Sequence, residues 1–276
     1  MNSNNCRFTI ITVCYNAQES IQRTLKSVLS QTFKDYEYWI IDGGSSDNTV
    51  EMINACAESF SGRLKLISEP DEGIYDAMNK GVTRAKGQYI VFINADDMMQ
   101  DNALELVNKV ICESPEPYGI YYGDSISAYE NAGSEIKKTK KAFPQVSTQT
   151  LKCGMGVVHQ SMYTSREVFS ELGLFNTSYR IGADWDFLIR CVKANVTMKY
   201  IPEPLSVFYT SGISAQNHHW ERHIIRKDNG LYRGIDTNLL RDCLNIKNIL
   251  QSIIGPKSFQ KVRYSYNSLK QRLKRR

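Results

Sequence analysis

Short apolar runs alternate with helix-spaced apolar positions through the first hundred residues. TIITV (9–13) precedes a helical pattern at 20–29, YWIID (38–42) one at 49–57, LKLIS (64–68) one at 75–85, and YIVFIN (89–94) one at 103–112. This is a succession of four βα units. Strands that read as continuous apolar runs joined by helices predict a parallel sheet buried on both faces, with right-handed crossovers. Beyond Tyr118 the pattern turns mixed: a strand at 119–127, a charged hairpin-like stretch through 137–141, a strand near 157–163 and a helix at 184–193. From His218 onward the chain reads as helical, with Leu239, Leu240, Cys243, Leu244, Ile246, Ile249, Leu250, Ile253 and Ile254 in helical register before Gly255-Pro256.

Open sheets of this kind bind ligands beyond the carboxyl ends of their strands. The residues there are polar: Asn16, then Asp42-Gly43-Gly44-Ser45, Glu69-Pro70-Asp71 and Asn94-Ala95-Asp96-Asp97. Adjacent carboxylates at a strand end suit a hard cation that also ligates phosphate oxygens, Mg2+ or Mn2+. The competing reading makes Asp96 and Asp97 a helix or turn cap. The run from Asp42 to Thr49 joins a strand-end carboxylate, two glycines and a polar cluster before a helix. It fits a nucleotide, an ordinary βα turn capped by Asp47 or Asn48, or both. Further on, Ala183-Asp184-Trp185-Asp186 sets Asp184 at a loop-to-helix transition, as a base or as an N-cap, with Asp186 pointing elsewhere.

Composition adds exclusions. The chain has 276 residues, 42% hydrophobic and 23% charged, which is globular. Its net charge of +5 belongs to a tail: residues 256–276 hold eight basic residues and no acid, leaving 26 basic against 29 acidic upstream. A basic nucleic-acid-binding surface is not supported. Seven scattered cysteines without a C-x-x-C pair give neither a zinc spacing nor a disulfide framework, and a reducing compartment fits. The amino terminus reads as a first strand and not as a cleavable leader. No apolar run of 18 residues predicts a membrane-spanning helix.

The run from Thr9 to Asn16, DGGSSDNT from Asp42, SEPDEGIYDAMNKGV from Ser68, Lys86-Gly87, NADD from Asn94, VHQSMY from Val158 and GADWDFLIRC from Gly182 together resemble the family 2 glycosyltransferases. The likeness runs over residues 7–215 and is nearest the branch that builds bacterial capsule, colanic-acid and other exopolysaccharide units. It implies a GT-A (Rossmann-like) three-layer α/β/α domain over 1–215, with a mostly parallel central sheet, a nucleotide-binding half at 7–113 and an acceptor half at 114–215. A helical C-terminal extension with the basic tail follows at 216–276. By the same resemblance Asn16 and Asp42 contact base and ribose, and Asp71 lines the nucleotide pocket. Asp97 is the direct metal ligand, Asp96 lies nearer the ribose or diphosphate, and Asp184 is the catalytic base. The chain departs from the family at Asn94, where an Asp often stands, and at Ala183, where a Glu is common. The Q-x-x-R-W string of processive synthases is absent, so one transfer per binding event is expected.

The implied reaction is an inverting, metal-dependent transfer from a nucleotide diphosphate sugar, with a UDP-sugar expected, to a glycan or polyprenyl-linked acceptor in surface polysaccharide biosynthesis. The protein would sit peripherally on an anionic membrane at the cytoplasmic face of the inner membrane. His159 and Gln160 are placed on the acceptor side or in the core, and His218 and His219 near a loop at 211–214. The alternatives are a sugar nucleotidyltransferase, disfavoured because Val13-Cys14-Tyr15-Asn16-Ala17 lacks the glycines of a phosphate loop, and an NAD-dependent oxidoreductase, which lacks G-x-G-x-x-G. A third is an inactive nucleotide-sugar-binding protein, against which Asp97 and Asp184 are both present.

Overall fold

The computed structural model describes residues 6–131, 134–209 and 219–231. The loop at 211–214, His218, the helical pattern at 239–254 and the tail at 256–276 lie outside them. The chain divides into two compact units, Met1–Glu221 and Arg222–Arg276.

In the first unit the four βα pairs form where the apolar pattern predicts: β1 (Phe8–Cys14), α1 (Ile21–Leu29), β2 (Tyr36–Asp42), α2 (Thr49–Cys56), β3 (Leu64–Ser68), α3 (Ile74–Arg84), β4 (Tyr89–Phe92) and, after a two-residue strand β5 (Met98–Met99), α4 (Ala103–Glu113). Then come β6 (Ile120–Asn131), β7 (Ser134–Lys140), a short helix α5 (Thr148–Leu151), β8 (Met162–Ser165), α6 (Arg166–Leu172), α7 (Ala183–Lys193), β9 (Met198–Tyr209) and α8 (His219–Asp228). The second unit is described only over the rest of α8 and a turn ending at Leu231.

One sheet runs in the order β3-β2-β1-β4-β8-β6-β9-β5, with β7 paired to β6. The stretch β3-β2-β1-β4 is wholly parallel, as expected. Beyond it the sheet is mixed: β8 runs antiparallel to β4 and β6, while β9 runs parallel to β6. Period-2 alternation assigns the helices to opposite faces. Phe8 and Ile10 face a core with Ile21, Leu25, Ile53, Leu104 and Val107 from α1, α2 and α4. Ile11 points the other way, onto Gly81 of α3, where an added Cβ would lie 2.7 Å from its side chain.

Two elements differ from the pattern. The strand expected near 157–163 begins later, because His159–Ser161 form a 3-10 turn before β8. Strand β9 carries Pro202 and Pro204, which argue against a paired strand. It forms because its pairing with β6 shifts register at Gly123 and Asp124, opposite Pro204.

Candidate active site

Parallel register brings Cys14, Asp42 and Ser68 abreast at the carboxyl ends of β1, β2 and β3. Asp42 is 0% exposed. It accepts hydrogen bonds from the amides of Gly44 (3.1 Å) and Ser45 (2.9 Å) and from the hydroxyls of Ser68 (2.7 Å) and Ser45. Burial raises this carboxyl, but the donors from Ser45 and Ser68 outweigh it and hold it below the ordinary carboxylate value. Asp42 therefore faces inward and organises the turn.

The open groups there are its neighbours. Asn16 holds a left-handed backbone (φ 48°) while its side chain accepts from the Ser46 amide at 2.9 Å and its own amide donates to Ser45 Oγ at 2.8 Å. Tyr15, 64% exposed, presents an aromatic face beside them. Asp71 accepts from the Gly73 amide at 2.9 Å, and its second oxygen fills the space of a missing side chain: a Cβ on Gly43 would sit 2.5 Å from it. At the start of α2, Asp47 already accepts from the amides of Thr49 and Gln18, so the capping alternative holds for that stretch.

Asp97 is 2% exposed; one oxygen accepts from the Tyr209 amide at 3.0 Å and the other from the Gln160 side-chain amide. Burial, and then the neighbouring Asp96, push its carboxyl up to about 7. Asp96 is half-buried, accepts no hydrogen bond from another described residue, and is also raised by burial. Asn94 Oδ1 is buried without a hydrogen-bond partner. Two desolvated carboxylates and an orphaned amide oxygen, with the Arg23 guanidinium acting on Asp96, make a set of hard oxygen donors that a divalent cation fits. No cluster of three or more His, Cys, Asp or Glu among the described residues would hold an ion alone.

Asp184 opens α7 and its side chain is 15% exposed. One oxygen accepts from the Tyr75 hydroxyl (3.0 Å) and the Trp185 amide (2.8 Å); the other lies 3.1 Å from His159 Nδ1. Burial, and then the Asp184 charge, hold the Tyr75 phenol well above its usual value, so it remains a donor. The residue after His159, Gln160, donates to Asp97, so the turn at 159–161 touches both acidic groups. Behind Asp184 and His159 pack Phe92, Phe169, Phe175 and Phe187, with Phe169 and Phe187 stacked at 4.5 Å. Asp186 points away, as expected, and pairs with Arg190 Nε at 3.0 Å.

The structure thus joins Asp184 to His159 and Asp97 to Gln160, adjacent residues that the sequence places on the acceptor side or in the core without a specific role. Tyr75 lay inside a quoted motif without a role. A hollow of about 420 Å3, lined by Cys6, Arg7, Asp35, Gln88 and Arg166 among others, lies at the amino ends of the parallel strands and away from this chemistry.

Comparison with known proteins gives the family and the fold. The sequence profile of Glycosyl transferase family 2 matches residues 9–173. A PGL/p-HBAD biosynthesis glycosyltransferase of Mycobacterium tuberculosis is 34% identical over 187 residues, covering 67% of this chain and 69% of that protein. The chondroitin synthase of Pasteurella multocida is 31% identical over 176 residues, 64% of this chain but 18% of the synthase. Among solved structures, S. aureus TarS 1-349 in complex with UDP-GlcNAc superposes with a TM-score of 0.65 at 14% identity, covering 81% of this chain and 65% of that one. A mannosyltransferase from Pyrobaculum calidifontis, in complex with GDP-Man and Mn2+, gives 0.57 at 19% identity, covering 79% and 60%. These likenesses establish the GT-A fold.

Proposed function

The chain belongs to glycosyltransferase family 2, and from that premise we propose that it is an inverting, cation-dependent transferase moving a sugar from a nucleotide diphosphate, with a UDP-sugar first in line, to an acceptor hydroxyl. The observation that carries this reading is His159. Its imidazole lies 3.1 Å from Asp184, and the next residue, Gln160, donates to Asp97, so one turn touches both the candidate base and the acidic pair.

Tyr15, Asn16 and Asp71 receive the nucleotide, on a turn built by Asp42. Asp96, with Asn94 beside it and Asp97 behind it, would hold Mg2+ or Mn2+; the resemblance gave the direct contact to Asp97, whereas Asp96 has the open carboxylate. A cation bound there would offset the charge that builds on the departing diphosphate. Asp184 takes the proton of the acceptor hydroxyl as its oxygen bonds to the anomeric carbon and the bond from that carbon to the phosphate oxygen breaks. A single displacement inverts the configuration, through an oxocarbenium-like transition state. Tyr75 and His159 hold the carboxylate in place. General-base catalysis of this kind contributes roughly 10² to 10⁴-fold.

The acceptor we infer is a glycan or a polyprenyl-linked glycan in surface polysaccharide assembly. The basic and aromatic residues of 256–276 would bring the enzyme to an anionic membrane; half their charges supply roughly 4 kcal/mol, screened by salt. Among the described residues no helix is long and apolar enough to cross a membrane. Co-sedimentation with anionic liposomes should be lost in a chain ending at Gly255; equal binding by both chains, or none by either, would refute docking through the tail.

The reading as a whole is tested by thermal stabilisation with UDP-, GDP- and dTDP-sugars, with and without Mn2+. A ligand at 100 times its dissociation constant adds about 2.7 kcal/mol. One donor class should stabilise, only with the cation; no stabilisation by any would refute the reading.

A further inference from the structure

The carboxylate of Glu221, the last residue of the first unit, accepts hydrogen bonds from three consecutive backbone amides: Arg180 (2.7 Å), Ile181 (2.9 Å) and Gly182 (2.7 Å). Convergence of this kind is how a chain binds an anion, and charge-assisted bonds of this length are the strong ones. The stretch they hold leads into α7, with Gly182 as its N-cap and Asp184 in its first turn. An anion beside the start of a helix is also favoured by the helix dipole.

Ile181 is fixed from both sides. Its amide donates to Glu221, and its carbonyl shares the single proton of the Tyr75 hydroxyl with the Asp184 carboxylate. Glu221, the 180–182 stretch, Tyr75 and Asp184 thus form one continuous hydrogen-bonded unit. Among the described residues, the hydrogen bonds of the Glu221 carboxylate all go to this stretch.

We propose that Glu221 is a positioning residue for the base: its carboxylate sets where Asp184 stands and leaves donor binding alone. The proposal rests on Asp184 being the base. A carboxylate is required because three N–H donors need acceptor lone pairs on both oxygens. A glutamine of the same shape would turn an NH2 against one of them.

The test uses the full chain and follows release of UDP from UDP-GlcNAc with Mn2+, or from another UDP-sugar that the wild type turns over faster. Glu221→Gln should lower kcat roughly 10²-fold, the loss expected when a catalytic group is misplaced by about 1 Å. The KM for the donor, and the stabilisation by UDP with Mn2+, should stay within about twofold of wild type, whereas a merely structural role would shift all three together. In an Asp184→Asn background Glu221→Gln should add no further loss, because two groups acting through one step do not multiply. Wild-type kcat in Glu221→Gln, a donor KM that rises as kcat falls, or losses that multiply with Asp184→Asn would each overturn the proposal. Should Glu221→Gln melt below the assay temperature, Glu221→Asp, which keeps the charge on a shorter arm, must show the same division between kcat and KM. Asp184→Asn turning over at the wild-type rate would instead refute the base assignment, and this proposal with it.

Discussion

On the donor side of the site each acidic residue lies within a few positions of the end of its own strand, and the parallel register of β1, β2 and β3 sets those ends side by side. On the acceptor side the one candidate base draws its contacts from across the chain: Tyr75 from α3, His159 from the turn before β8, and, through the 180–182 stretch, Glu221 from α8. The first half is assembled by strand order and the second by contacts between distant segments. Substitutions on the donor side should therefore act on binding and cation dependence, and those on the acceptor side on turnover.

The largest effect expected is on the acceptor side. Asp184→Asn should lower kcat by roughly 10² or more with donor KM nearly intact, since it removes a proton acceptor and keeps the shape. Steady-state kinetics check this, and an unchanged kcat would move the base elsewhere. Next comes the acidic pair, where burial separates the partners. Asp96→Ala should weaken cation-dependent donor binding by roughly tenfold or more at unchanged melting temperature. Asp97→Ala should weaken it and also cost about 2 kcal/mol, by orphaning the Gln160 side chain and the Tyr209 amide. Calorimetry with UDP and Mn2+, beside thermal melts, separates the two; equal melting temperatures would mean that Asp97 is not the internal anchor its contacts make it.

His159→Gln, which removes the imidazole lying 3.1 Å from Asp184, should lower kcat by about tenfold, or about 1.4 kcal/mol. A larger change in donor KM than in kcat would place His159 with the donor. Gly43→Ala should do the reverse. Its Cβ would displace the Asp71 carboxylate and raise donor KM by roughly threefold to tenfold with kcat held; an unchanged KM would remove Asp71 from the nucleotide pocket.

The smallest effect concerns pH. Because the folded Asp42 carboxyl is held below its ordinary value, the stability it confers is complete above the unfolded value of about 4 and is lost as pH falls through the lower folded value. Asp42→Asn should flatten the acid limb of the stability curve below about pH 4. An acid limb as steep as that of wild type would mean that the serine donors do not act on Asp42 as the structure indicates.

The same contrast explains what could be read from the chain. The four βα units follow from apolar runs that need no partner to be recognised, and their polar ends follow from strand direction. Asp42 shows the limit of that reading: its position is legible, but its 0% exposure depends on Ser45 and Ser68 closing over it. The join between Asp184 and His159 has no local signature, because 25 residues and a mixed stretch of sheet separate them in sequence. Strand β9 was hidden for a similar reason, since its prolines are tolerated only at a register shift that β6 supplies. Glu221 gave no signal, because its partners are backbone amides, which every residue but proline carries.

The central claim is that a base on the acceptor side and a leaving diphosphate on the donor side act in one displacement. The most direct test is the anomeric configuration of the product formed from an α-linked UDP-sugar, read by the coupling constant of its anomeric proton. A β-linked product is predicted; an α-linked product would contradict the account.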